Sequence, residues 1–356
     1  MKNLRDSFNA LKNKIKFKII TSRHLWKFSQ FYLLEIKPRI VYALMKLRKK
    51  SEKIKKINSL ENIKLLINTI TACNANCVFC AYKYFENKGM LMNFKTFKKI
   101  IDEIAGAGGK NMDFTPTLGE PLLDLNLFEK IKYAKNKKLN VSMYTNGILL
   151  NKNNNYKKLV DSGIDELAIS VGDIDPEIDS EICKINSKVS EERWKGIIKT
   201  MDYFLEKRNK KINLSFRPKR APWKIIKDCE FKKILKVIGE KNIDFSLKYD
   251  SWGGSIKKKD LIGVMRLKKP FKKMFIPCAN LNSLSIFPDG SVRLCGCRVK
   301  KSIYDELLVG NINKNSLLEL INSKKVVRIK KSFFNNAPPE ICKNCSFYEP
   351  ENQIIA

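Results

Sequence analysis

The sequence predicts an α/β fold whose strands run parallel in a barrel or partial barrel, on two observations. Six short apolar runs alternate with amphipathic stretches between residues 65 and 248, and three cysteines, Cys73, Cys77 and Cys80, follow the first run. Strands separated by helices imply consecutive parallel crossovers, and such folds gather their chemistry on the loops at the carboxyl ends of the strands. The cysteines fall on that loop face.

In chain order the predicted strands are Leu65 to Ile70, Met112 to Pro116, Val141 to Tyr144, Glu166 to Ser170, Ile212 to Phe216 and Asp244 to Lys248. Each is a short apolar run of strand length. Between them, Asn93 to Ala107, Phe128 to Lys138, Glu191 to Glu206 and Lys224 to Ile238 carry the amphipathic pattern of helices.

Three thiolates within eight residues can hold a metal cluster but leave one coordination position over. A structural zinc site normally takes four protein ligands, whereas an iron-sulfur cluster can use an unliganded iron to bind a substrate or cofactor. Spacing alone leaves open a chance cluster or half of a zinc site completed from elsewhere. The run Cys73-Asn74-Ala75-Asn76-Cys77-Val78-Phe79-Cys80 resembles the Cys-x3-Cys-x2-Cys signature of radical S-adenosylmethionine (radical SAM) enzymes, with Phe79 where that family usually carries an aromatic.

That resemblance implies a partial (β/α)6 TIM-type barrel with Cys73, Cys77 and Cys80 holding a catalytic 4Fe-4S cluster. It further implies S-adenosylmethionine bound at the open iron and reductively cleaved to a 5′-deoxyadenosyl radical that takes a substrate hydrogen, with an electron donor such as flavodoxin or ferredoxin. Thr117-Leu118-Gly119-Glu120-Pro121-Leu122 resembles the family's Gly-Gly-Glu segment, with Leu118 in place of the first glycine, so Gly119 and Glu120 are expected at the methionine amino group. Thr145-Asn146-Gly147 resembles the Thr-Asn-Gly turn, although it also reads as an ordinary strand-to-helix turn. Ser170 corresponds to the family's Ser-Leu-Asp-Gly stretch, with Asp173 displaced by one position. Arg217 is either a partner for the methionine carboxylate or a solvated surface arginine.

Of the remaining cysteines, Cys183 and Cys229 stand alone and read as small buried residues. Cys278, Cys295, Cys297, Cys342 and Cys345 lie near the C-terminus, where Asp289-Gly290 is a hairpin turn that brings Cys278 and Cys295 together. The pattern resembles a SPASM-type extension, and Trp252-Gly253-Gly254 resembles a segment of similar proteins while reading locally as a turn with an aromatic anchor. Seven cysteines would hold two auxiliary clusters in that family. Five imply one auxiliary 4Fe-4S cluster on Cys278, Cys295, Cys342 and Cys345, with Cys297 spare or a substitute for Cys295; a zinc ion in the same four thiolates stays open. A disulfide framework fits poorly, since no signal peptide is read and the cysteines sit in ligand-like pairs.

With 44% hydrophobic residues in 356, the chain can bury a substantial core. The one histidine, His24, lies far from every motif, which argues against histidine acid-base chemistry or a Ser-His-Asp triad. No apolar run is long enough to cross a bilayer. The formal charge is +34, and residues 1 to 65 hold 18 Lys/Arg against 4 Asp/Glu. Around Pro38, the residues Ile40, Val41, Leu44, Met45 and Leu47 mingle with Arg39, Lys46, Arg48, Lys49 and Lys50. That mixture fits a helix lying on an anionic membrane, and equally a helix packed on the barrel with solvated lysines. No nucleic-acid motif accompanies the charge.

The expected organisation is a basic helical extension over residues 1–62, a barrel over 63–265 and a SPASM-like extension over 266–356. The enzyme is expected in the cytoplasm, peripheral on the inner face of the membrane, and the expected chemistry is oxidation or rearrangement at an unactivated carbon of a polar small molecule, carbohydrate or glycoconjugate. Modification of a peptide or protein is the alternative, because many SPASM relatives act on peptides. A metal-stabilised protein that binds nucleic acid or membrane is the non-enzymatic alternative.

Overall fold

Strand β1 (Lys64–Ile67) buries Leu65, Leu66 and Ile67, so both of its faces lie inside the molecule. That is the pattern of a strand covered on both sides. The structure, a computed structural model, describes residues 14–47, 54–115, 117–207, 211–296 and 299–351. From β1 the chain winds through β2 (Asn111–Asp113), β3 (Asn140–Thr145), β4 (Glu166–Val171), β5 (Lys211–Phe216) and β6 (Ile243–Phe245), each parallel to the one before. These are the six predicted strands, and the fold is an α/β partial barrel of TIM type.

Local sequence explains the crossovers. Helix α4 (Phe94–Gly106) starts where the Asn93 side chain accepts from Thr96 N–H, and it buries Phe97, Ile100, Ile101 and Ile104, a stripe of helical spacing. Helices α5 (Leu127–Asn136) and α6 (Asn155–Asp161) follow β2 and β3. Helix α7 (Pro176–Cys183), which the sequence reading missed, is set by Asp175 capping two backbone N–H groups and Pro176 in the first turn. Helix α8 (Ser187–Glu206) then packs on β4 and β5.

The predicted helix from Lys224 to Ile238 is two helices, α9 (Pro222–Ile225) and α10 (Cys229–Ile238), because Asp228 caps Glu230 N–H and restarts the chain there. Cys229, expected to be buried, is exposed on the first turn of α10. The predicted sixth strand ends at Phe245, and Lys248–Tyr249 forms β7, paired with β8 (Arg266–Leu267) in a separate ribbon.

A larger difference lies at the other edge. Strands β9 (Ser283–Ile286), β10 (Ser291–Leu294) and β11 (Leu308–Asn311) extend the barrel sheet, giving the order β11-β10-β9-β1-β2-β3-β4-β5-β6. The predicted hairpin is present, with Gly290 N–H donating to the Phe287 carbonyl (2.9 Å). It docks beside β1 in parallel, register Leu65 to Leu284. An open β1 edge would leave backbone donors and acceptors unpaired, and the hairpin covers it. Helices α11 (Leu317–Ile321), α12 (Lys324–Phe334) and α13 (Glu340–Lys343) complete this end.

The N-terminal extension is helical where described: α1 (residues 14–21), α2 (Leu25–Phe31), a π-helical stretch (Tyr32–Ile36) and α3 (Lys37–Leu47). Phe17 packs against Phe245 (6.2 Å between ring centres), which also stacks on Phe216 at 5.2 Å, so α1 covers the open β6 edge. Met45 is buried and receives a contact from the Tyr348 hydroxyl at 3.4 Å. Ile40 and Leu44 stay exposed on the outer side of the same helix. Among the described residues no helix is long and apolar enough to cross a membrane.

Candidate active site

The cysteine loop leaves β1 and is tied to its surroundings by backbone. Glu120 N–H donates to the Ala72 carbonyl (2.8 Å), Asn76 N–H to the Cys183 carbonyl (3.1 Å) and Val78 N–H to the Ile182 carbonyl (3.0 Å). Cys73 N–H donates to the Tyr82 hydroxyl (2.9 Å). Gly119 can approach this loop only because it lacks a side chain: its φ is +136°, and a Cβ there would stand 2.6 Å from the Ile70 carbonyl oxygen. Leu118 turns away into an apolar cluster with Phe85, Phe287, Val299 and Ile303, with Cys80 packed at its side.

The three thiols share one electrostatic neighbourhood. Burial first, then the carboxylate of Glu120, pushes Cys73 up to about 12. Cys77 is raised by the neighbouring Cys183 sulfur and by burial, with added repulsion from Cys80 and Cys73. Cys183 is buried, as its sequence reading expects, and its burial places it against Cys77. Its sequence gives no sign of this, since 103 residues separate it from Cys80.

Glu120 is buried and fully oriented. Its Oε1 accepts from Thr145 Oγ1 (2.6 Å) and Leu122 N–H (3.1 Å), and its Oε2 from Asn146 N–H (2.7 Å). Burial raises its pKa. The Asn146 amide reaches Asn74 Oδ1 (2.8 Å) and the Cys73 sulfur (3.8 Å), so the Thr145-Asn146 turn joins the carboxylate to the cysteine loop. Arg193 anchors the turn from beneath: its Nε donates to the Asn146 carbonyl (2.6 Å), its Nη1 to Asp179 Oδ2 (2.7 Å), and its Nη2 to the Ser170 carbonyl. Arg193 and Asp179 are both fully buried.

A second group lines the far side. The Arg217 guanidinium lies over Phe79 (5.3 Å), donates to the Tyr144 hydroxyl (3.0 Å) and reaches Ser170 Oγ (3.3 Å). Tyr249 stacks obliquely against Phe79 (5.3 Å between centres), and its buried hydroxyl has no hydrogen-bond partner. Sequence reasoning found Phe79, Ser170 and Arg217 but missed Tyr144, Tyr249 and Arg193, which lie in no motif. Asp173 turns elsewhere, pairing with Arg220 at 2.6 and 2.9 Å. Trp252 fulfils its reading as an anchor, its indole N–H donating to the Phe79 carbonyl (3.1 Å).

These residues fit a cluster with a bound polar cofactor. The thiols feel one another's charge, and the buried Tyr249 hydroxyl beside Arg217 has a hydrogen bond left to make. Among the described residues no three such groups converge on the point a single ion would occupy. An iron-sulfur cluster takes each thiolate at a separate iron.

The C-terminal thiols form a similar but more enclosed set. Cys342 is pushed up by burial and by Cys295, Cys345 and Cys278. Asn280 donates its amide to the Cys278 sulfur (3.7 Å) and Phe347 its N–H to the Cys345 sulfur (3.4 Å), the kind of contact that tunes a cluster. Arg293, fully buried, pairs with Asp305 and donates to the Cys295 carbonyl (2.7 Å), bracing Cys295 at φ +57°. Cys297 lies outside the described residues.

The two sets are joined through one buried seam. Asn68 donates to Ser285 Oγ (2.8 Å) and accepts from Thr117 N–H (2.6 Å), and Thr117 Oγ1 donates to the Gly296 carbonyl (2.6 Å). A Cβ on Gly296 would stand 1.9 Å from Leu66 Cδ1, so the glycine lets the turn after β10 lie against β1 without moving the Leu66 side chain.

Residues 67–218 match the radical SAM superfamily, and residues 278–346 match SPASM, an iron-sulfur cluster-binding domain. A probable GTP 3′,8-cyclase from Methanococcus maripaludis is 36% identical over 107 residues, 29% of this chain and 34% of that one. A PqqA peptide cyclase from Granulibacter bethesdensis is 29% identical over 114 residues, 32% of this chain and 30% of that one. The chain thus spans about a third of the length of the curated relatives it matches. The structure of BtrN in complex with AdoMet and 2-DOIA aligns over 82% of this chain and 94% of that one, with a TM-score of 0.53 and 14% identity, a likeness of fold.

Proposed function

Starting from the premise that this chain is a radical SAM enzyme with a C-terminal SPASM domain, we propose that it abstracts hydrogen from a polar small molecule, carbohydrate or glycoconjugate and oxidises or rearranges it. Its cofactors are a 4Fe-4S cluster and S-adenosylmethionine, with auxiliary iron-sulfur in the SPASM domain. When bound, the cluster supplies the electron that cleaves S-adenosylmethionine to the radical that takes the substrate hydrogen.

In this reading Cys73, Cys77 and Cys80 hold the catalytic cluster, and Cys278, Cys295, Cys342 and Cys345 hold one auxiliary cluster. Glu120, fixed by Thr145 and Asn146, receives the methionine amino group with the backbone at Gly119, while Arg217 faces the carboxylate and Phe79 packs against the cofactor. Tyr249 gives its unpartnered hydroxyl to the same ligand.

The observation that carries the substrate class is the cavity lined by Tyr144, whose hydroxyl accepts from Arg217. It measures about 210 Å³; Tyr144, Asn213, Ser215 and Asp244 place polar groups in an otherwise largely apolar lining, with α1 across its open side and Lys16 paired to Asp244 (2.6 Å). Such a space is below the ~300 Å³ at which drug-sized ligands begin to fit. The small volume and the helical cover suit a small substrate held by a few polar side chains, and the described extension carries no strand with which to pair a peptide.

The test is anaerobic turnover with dithionite and S-adenosylmethionine against amino sugars, polyols and peptides. Release of 5′-deoxyadenosine should rise above its basal rate with members of the first two groups. Stimulation by peptides alone would overturn the substrate class, and no release despite a full cluster would overturn the enzyme reading.

Tyr249→Phe gives a separate check on the cofactor pocket. Losing a hydroxyl that has no partner in the protein should leave the unfolding midpoint of the ligand-free protein unchanged or slightly higher, while S-adenosylmethionine affinity falls by about fivefold, the worth of about one hydrogen bond at ~1 kcal/mol. Equilibrium dialysis reads the affinity.

A further inference from the structure

The N-terminal extension and the C-terminal end enclose a cavity of about 650 Å³ that belongs to neither thiol site. One wall is apolar and aromatic: Leu33, Leu34, Val41, Tyr42, Phe271 and Tyr348. The other is basic. Lys37, Arg39, Lys248, Lys272 and Lys273 line it, and among the described residues none of them pairs with a carboxylate; Glu35 is taken by Lys269 at 2.8 Å.

Lys248 is half-buried in this wall. Burial and the charges of Lys268, Lys37 and Lys16 bring its amine down to about 7, so an anion in the cavity would relieve repulsion that the protein itself leaves standing.

The outside of the same helices is apolar. Leu25, Phe28, Tyr32, Ile40 and Leu44 are 40% to 65% exposed. Leu25, Phe28 and Tyr32 follow helical spacing, as do Ile40 and Leu44, and the π-helical stretch between them shifts the phase so that one row continues along the rod. Residues 14–47 carry eight Lys/Arg and one acidic residue, Glu35. An exposed apolar row amid cations is complementary to an anionic bilayer, which offers an acyl boundary under a layer of negative charge.

We propose that this face docks on an anionic phospholipid membrane, the apolar row entering the acyl boundary and the basic cavity taking a lipid phosphate headgroup. The site stands apart from the small cavity of the barrel and does not depend on which substrate the enzyme uses.

The experiment is flotation of the full-length protein with phosphatidylglycerol and with phosphatidylcholine vesicles. Wild type should float with the first and not with the second. Lys248→Gln/Lys272→Gln/Lys273→Gln should weaken partitioning by on the order of a hundredfold, about fivefold for each cation lost. A charge-matched control, Lys95→Gln/Lys157→Gln/Lys207→Gln, tests whether the overall charge accounts for binding and should lose far less. Phe28→Ser/Ile40→Ser/Leu44→Ser should also abolish flotation, and because these side chains are exposed its melting point should match wild type. The proposal is overturned if the two lysine variants bind alike, if the apolar variant floats normally, or if inorganic phosphate raises the melting point while no vesicle is bound.

Discussion

A Cys73/Cys77/Cys80→Ala variant is expected to lose all reductive cleavage of S-adenosylmethionine while keeping about half of its iron. After anaerobic reconstitution, wild type should hold about eight irons per chain and the variant about four, one cluster's worth remaining at the C-terminal thiols. The paramagnetic signal that responds to S-adenosylmethionine should vanish with the first cluster. The expectation rests on separate ligand sets: Cys77 feels Cys73, Cys80 and Cys183, whereas Cys342 feels Cys295, Cys345 and Cys278. Four irons with zinc in wild type would make the C-terminal site structural, and loss of all iron in the variant would show that the two sites assemble as one.

Arg193→Met is expected to cost about 3–5 kcal/mol of stability, because it leaves Asp179 as an uncompensated charge in a fully buried position. It also releases the Asn146 and Ser170 carbonyls that Arg193 holds. Replacing both partners, Arg193→Met with Asp179→Leu, should recover part of that loss, since no lone charge is then buried. Denaturant unfolding of the ligand-free protein measures both. Equal stability of the single variant and wild type would mean that the pair does not brace the Thr145-Asn146 turn.

Much of the fold and half of the site were legible in the sequence for identifiable reasons. The six parallel strands are apolar runs at strand length, and the cysteine loop, Gly119-Glu120 and Thr145-Asn146 are contiguous motifs whose chemistry depends on spacing along the chain. The Asp289-Gly290 turn likewise fixed the β9-β10 hairpin locally. Helix α7 was missed because Asp175-Pro176 is a capping signal attached to a helix of only eight residues. The division of α9 from α10 turned on one capping aspartate, Asp228.

What the sequence by itself determined was therefore the parallel α/β pattern, two groups of thiols and a basic helical N-terminus, all properties carried by residues close together in the chain. Tertiary structure alone decided that the hairpin completes the barrel edge at β1, that Gly296 and Thr117 connect the two thiol sites, and that Cys183, Arg193 and Tyr249 surround the one that follows β1. It also decided which side of α3 faces inward, burying Met45 and leaving Ile40 and Leu44 outside. The physical reason is common to all of these. A backbone edge to be covered, a buried charge to be paired and a helix face to be packed acquire their partners from residues tens to hundreds of positions away, and no local periodicity records which partner that is.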